Sequence, residues 1–140
     1  MEAVTEEASE VIGLDSNVLL RYLAQDDPTQ SPKATKIIEG LSEDEPGHLT
    51  HIALAEIAWV LARTYKVPEW SIANIFAQLL RSRSIIVSDE ADVVHALRAA
   101  SEGEATFADA LIGALCFRAG CSKVVTFDEG ASRLPGFELI

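Results

Sequence analysis

Short apolar runs alternate along the chain with longer stretches in which apolar residues recur every three or four positions. This is the pattern of an α/β domain with a mainly parallel sheet. VIGL (11–14) predicts a first strand and residues 17–24 the helix after it. DDPTQSPKATKIIEGL (26–41) predicts a second helix capped by Asp27 or Ser31, each of which precedes a proline suited to a first helical position, with Pro32 favouring the later start. HLT (48–50) is a short strand, and IALAEIAWVLARTY (52–65) a third helix. After the break at Val67-Pro68, residues 69–81 predict a fourth helix with Trp70, Ala73, Phe76, Ala77 and Leu80 on one face. SIIVS (84–88) is a strand, 89–103 a helix, and 106–120 a further helix closed by Gly120. KVVTF (123–127) and FELI (137–140) complete the strands, and no repeat or internal linker interrupts the series.

Composition narrows the frame. A chain of 140 residues with 49% hydrophobic content is the size of one ordinary domain. The first ten residues, MEAVTEEASE, hold four glutamates and lack the basic start and apolar core of a signal peptide. They are expected to form an acidic flexible arm (1–10) before a single domain (11–140). No run approaches the ~18 apolar residues of a membrane span. Cys116 and Cys121 are too few for a disulfide framework and match no zinc spacing, so they read as small buried hydrophobes in a reducing, cytoplasmic compartment. The net charge of −11 repels nucleic acid at long range, so any chemistry on a phosphate chain must be local.

Most of the 22 acidic residues stand in polar surroundings where solvation accounts for them. Four do not. Asp15 ends the apolar run VIGL; Glu56 is the one polar residue in IALAEIAWVLA; Asp109 is the one polar residue in FADALIGALCF; Asp128 follows VVTF. Glu138 in FELI looks similar, but strand alternation can turn it to solvent. Each of the four also has a plain structural reading. Asp15 can cap a helix and Asp128 can open a turn. Thr106 to Asp109 has the spacing of a capping box, in which the acid returns a bond to the cap backbone. Glu56 is harder to explain so, because a helix apolar on every side is expected to be buried.

In a parallel α/β sheet, strand ends and the following helix starts crowd one edge, where ligands bind. Four carboxylates meeting there repel, at about 4 kcal/mol for two charges ~4 Å apart in an effective dielectric near 20. A hard divalent cation, Mg²⁺ or Mn²⁺, relieves that repulsion and prefers oxygen ligands. Such a centre hydrolyses phosphodiesters with an activated water and needs no Ser, His or Cys nucleophile. His48, His51 and His95 form no triad pattern, and His95 reads as a surface helix residue.

With Asp15, Glu56, Asp109 and Asp128 in this order, the chain resembles PIN-domain ribonucleases of the VapC type, the toxins of type II toxin–antitoxin pairs. The resemblance rests on LDSNVLLRYL (14–23), LTHIALAEIAWVL (49–61), FADALIGAL (107–115) and VVTFD (124–128), and covers nearly everything from Val11 onward. It implies a PIN-like three-layer α/β/α domain with a central, mainly parallel sheet of about five strands. It further implies that the four acids form the Mg²⁺ or Mn²⁺ site, that Asn17 and Thr126 orient carboxylates or a water, and that Thr50 supports the turn into the Glu56 helix. The implied partners are an RNA substrate such as tRNA or rRNA, a second copy in a homodimer, and a cognate antitoxin whose C-terminal segment lies in an apolar groove along the early helices. Arg21, Arg63, Arg81, Arg83 and Arg133 are available for phosphate contacts. Thr106 stands where relatives often carry a further Asp, which implies a weaker second-metal position.

Two other phosphate chemistries fit less well. A haloacid-dehalogenase phosphatase needs an acid two residues after Asp15, where Asn17 stands, and a receiver domain needs an acidic pair there. The reading from a different class is a non-catalytic, acidic PIN-like module whose carboxylates only receive a basic protein partner.

Overall fold

A computed structural model describes residues 10–102 and 105–140. The arm expected over 1–10 therefore lies, but for Glu10, outside the described residues. The described residues divide into two compact units, one formed by residues 10–57 and 77–88, the other by 58–76, 89–102 and 105–140.

The first unit carries strands β1 (Ile12–Gly13), β2 (Gly47–Leu49) and β3 (Ile85–Val87), with helices α1 (Ser16–Ala24) and α2 (Gln30–Glu39) between β1 and β2. Both pairings are parallel with β2 in the middle, in the register Ile12 to Gly47 and Gly47 to Ile85. Parallel neighbours need a crossover, and the intervening helices supply it. Leu19, Leu20, Leu49, Leu54 and Ile57 are buried here. Gly47 is required where it stands, because a Cβ would lie 2.7 Å from Leu14 Cδ1 and 2.9 Å from Leu41 Cδ1.

The N-cap of α2 is Thr29, not Asp27 or Ser31, and its own side chain makes no cap bond. The Asp27 carboxylate accepts the N–H groups of Thr29 (2.9 Å) and Gln30 (2.7 Å), which satisfies donors that the first helical turn otherwise leaves unpaired. Ser31 instead lies inside the helix, buried, with its hydroxyl donating to the Arg21 carbonyl at 2.8 Å.

Helices α3 (His51–Arg63) and α4 (Glu69–Arg81) each begin in one unit and end in the other. The expectation of a wholly buried α3 is not met. Ile52 (70% exposed), Glu56 and Trp59 (54%) share one outward stripe, and the Arg63 guanidinium covers the Trp59 ring at 4.9 Å. An apolar composition suggested burial, but a helix pitch still assigns some of those residues to the solvent side. In α4 the inward face centres on Ile72 and Phe76. Trp70, about 200° around the helix from Ile72, is exposed rather than on that face.

The second unit contains α5 (Glu90–Glu102), α6 (Phe107–Arg118), and strands β4 (Val124–Thr126) and β5 (Phe137–Leu139), again a parallel pair. Phe76 and Phe107, both fully buried, meet edge to face with centroids 5.0 Å apart. Glu138 points to solvent and pairs with Lys123 at 2.7 Å. Of the two cysteines read as buried, Cys116 is half-buried and Cys121 exposed, both free thiols. Removal from water, and then the neighbouring Cys121 thiol, push the Cys116 thiol above its ordinary range, so it stays protonated at neutral pH.

Candidate functional site

Asp15, Asp109 and Asp128 stand at or near element ends and Glu56 lies inside α3, and the bonds each side chain makes bear on the capping readings. Asp15 is the N-cap of α1, with extended backbone (φ −73°, ψ 152°), yet its side chain makes no cap hydrogen bond. Its carboxylate has no hydrogen-bond or ion-pair partner among the described residues. A side chain at a cap position that leaves the first-turn N–H groups unbonded forgoes stabilisation of about 1 kcal/mol.

Asp109 repeats the observation in the second unit. Thr106, extended at φ −81° and ψ 164°, caps α6 by accepting the Asp109 N–H at 3.1 Å. That is one half of a capping box. The other half, a bond from the Thr106 backbone N–H to the Asp109 carboxylate, is not made, and this carboxylate too has no partner among the described residues. It is half-buried in the first turn of a helix whose next residues, Ala110 and Leu111, are buried. A negative charge is tolerated there because the helix start presents a partial positive charge.

Glu56 and Asp128 are engaged. Ser16, 2% exposed, donates its hydroxyl to Glu56 Oε1 at 2.7 Å, which ties Glu56 to the residue next to Asp15. Ser16 is the position the sequence reading missed; the signal was a small polar residue directly after a strand-end acid. Asp128 Oδ1 accepts the Gly130 N–H at 3.0 Å and so does form the expected turn. Thr126 accepts the Asp128 backbone N–H at 3.0 Å, and Thr50 accepts the Ala53 N–H at 3.1 Å at the start of α3. Asn17 is exposed on α1 and lines a cavity of about 260 Å³ between α1 and α2, together with Val18, Arg21, Ala34 and Ile37.

The acids fall two by two into the units, Asp15 and Glu56 in the first, Asp109 and Asp128 in the second. Among the described residues, no three His, Cys, Asp or Glu side chains are gathered as ligands of a metal ion. The donor set nevertheless has the chemistry a hard cation takes. All four are carboxylates, and Asp15 in the first unit and Asp109 in the second are uncommitted to any donor among the described residues.

A sequence model of the PIN domain matches residues 12–136. The chain belongs to the PIN-domain family. No curated protein matches this PIN domain in sequence. Among solved structures it is similar to the Mycobacterium tuberculosis protein VapC20, described as a toxin that cleaves the sarcin–ricin loop, with 17% identity and a TM-score of 0.41 over 88% of this chain and 93% of that one. The expected fold class is present in this PIN domain: the described residues form five strands, all paired in parallel, as a sheet of three and a sheet of two interleaved with six α-helices. Among the described residues, no helix is long and apolar enough to cross a membrane.

Proposed function

We infer that this PIN domain is a Mg²⁺- or Mn²⁺-dependent endoribonuclease of the VapC toxin type, acting in the cytoplasm and restrained by a cognate antitoxin. The observation that carries the reading is the pair of unspent carboxylates. Asp15 is the N-cap of α1 and Asp109 lies in the first turn of α6, and among the described residues neither side chain makes a capping bond. Carboxylate oxygens not committed to protein donors are available to a hard cation.

In this reading Asp15 and Asp109 hold the cation directly, with Glu56 and Asp128 as further carboxylates of the centre. Ser16 fixes the Glu56 carboxylate by donating to one oxygen, leaving the other for a ligand or its water. Thr126 holds the backbone of Asp128, and Thr50 anchors the first turn of the helix that carries Glu56. The bound metal supplies activation of a water for in-line attack and stabilisation of charge on the phosphate. RNA is the substrate class, and a homodimer the assembly, that the VapC reading entails. The apolar cavity between α1 and α2 suits an antitoxin segment, and the acidic residues suit an Arg or Lys carried on it.

The test is the melting temperature of antitoxin-free protein with and without ~10 mM Mn²⁺, for wild type and Asp109→Asn, beside Mn²⁺-dependent cleavage of RNA. A ligand at 100 times its dissociation constant stabilises by ~2.7 kcal/mol. A rise in wild type that is absent in the variant, with cleavage lost in step, is the expected outcome. No rise and no cleavage in wild type leaves the non-catalytic, protein-binding module as the better description.

A further inference from the structure

A cavity of about 710 Å³ within the second unit lies among α5, α6 and the segment entering β5. Its apolar floor is aromatic. Phe117 and Phe137 meet edge to face, centroids 6.5 Å apart and planes at 76°. Two glycines fix both rings: a Cβ on Gly113 would lie 2.5 Å from Phe137 Cε1, and one on Gly136 only 2.4 Å from Phe117 Cζ. Gly136 also adopts φ +83°, which other residues rarely take. The rings therefore sit flush against backbone, positioned by the chain.

The rim is basic. Among the described residues, Arg98, His95 and Arg133 line the cavity against one acid, Glu102, in a chain whose net charge is −11. Arg98 and His95 are exposed, and their side chains have no hydrogen-bond or ion-pair partner among the described residues. Local cationic excess over a pinned aromatic floor, on an otherwise acidic protein, complements a ligand that is flat, apolar and anionic at once. A nucleotide within a single strand has that composition: its base has a π face and its phosphate a charge. The cavity also reaches Ala110, the residue after Asp109 on α6.

We propose that this cavity is an RNA-binding subsite, in which an unpaired base packs on Phe117 and Phe137 while Arg98 and Arg133 hold the adjoining phosphates. The proposal rests on the ribonuclease reading for its ligand class, and it assigns Arg98 a role that a scan for strand-end acids had no reason to notice. Sequence specificity is not implied, because stacking accepts any base.

The test is binding of a fluorescein-labelled, mixed-sequence 12-nucleotide single-stranded RNA to the full chain in EDTA, followed by anisotropy across a salt series. Arg98→Ala and Arg133→Ala are each expected to weaken binding several-fold and to lower the slope of log affinity against log salt by about one. Phe117→Leu is expected to weaken binding with the slope unchanged. Mn²⁺-dependent hydrolysis of bis-p-nitrophenyl phosphate, which has no RNA chain, is expected to be unaltered in Arg98→Ala. Affinity and slope unchanged in the Arg98/Arg133 double alanine variant overturn the subsite. So does poly-glutamate competing as well as RNA, which would make the occupant an acidic polypeptide. Loss of RNA affinity in the variants while wild type cleaves nothing leaves the subsite standing and removes the nuclease reading instead.

Discussion

The helix pairs α1–α2 and α5–α6 are joined by different forces. Between α1 and α2 the contacts are directional. Arg21 Nε donates to Gln30 Oε1 at 3.0 Å, Gln25 Nε2 to Thr35 Oγ1 at 2.9 Å, and the buried Ser31 hydroxyl to the Arg21 carbonyl. Between α5 and α6 the buried residues are apolar or small, among them Val93, Ala96, Ala110, Leu111 and Gly113. Their polar link is one exposed knot, Arg118 with Asp89 (3.2 Å) and Asp92. Each pair carries a cavity with an arginine on it. The Arg21 guanidinium is already engaged by Gln30 and, at 3.3 Å, by Asp26, whereas the Arg98 guanidinium has no partner among the described residues. A cation that braces a fold and a cation kept for a ligand are told apart by their partners and not by residue type.

The contrast breaks first at its apolar end. Phe107→Ala removes a fully buried ring from the face of Phe76 and is expected to cost about 3–5 kcal/mol in chemical denaturation. Ser31→Ala deletes one buried hydrogen bond in the directional pair and is expected to cost about 1 kcal/mol. Equal losses would mean that both pairs rest on the same kind of packing.

Acid sharpens the comparison further, because the Asp27 carboxylate holds two backbone N–H groups at the entry to α2. Gln30 and Thr29 N–H bonds, with help from Arg21 and against removal from water, hold the Asp27 carboxyl below its ordinary range. Its contribution is therefore present above the usual carboxylate pKa and is lost as pH falls through the lowered folded value. Melting curves of wild type and Asp27→Asn should differ at neutral pH and converge in acid. At the other pair, Asp89 and Asp92 hold the Arg118 guanidinium above its ordinary range, so it stays charged throughout. Arg118→Gln is expected to give a small loss in low salt that fades at ~0.5 M salt, where exposed charges are screened. The smallest effect is expected from Asp15→Asn, whose side chain makes no bond to lose; metal-free melting should be unchanged or slightly raised, with RNA cleavage abolished.

Much of this fold was legible in the pattern of apolar residues. The alternation located every strand and helix to within a few positions, and α4 begins and ends where expected, at Glu69 and Arg81. Orientation was less legible than position. Trp70 and the Ile52, Glu56, Trp59 stripe are apolar or mixed positions facing solvent, and only tertiary packing decides which side of an apolar helix is covered. The four acids stood out because each interrupts or ends an apolar run. Ser16, Arg98 and the aromatic floor did not, since a small hydroxyl, a helix arginine and two phenylalanines twenty residues apart are unremarkable until folding brings their partners to them.

Gly113 and Gly136 make the aromatic floor intolerant in an uneven way. Shortening Phe117 or Phe137 leaves a gap that neighbours can partly fill, whereas any side chain at either glycine must displace a ring from backbone that cannot recede. In a library of random single variants selected only for soluble expression, positions 113 and 136 should therefore be depleted more severely than 117. The residues without side chains would register as the strictest positions of a surface whose use depends on its rings.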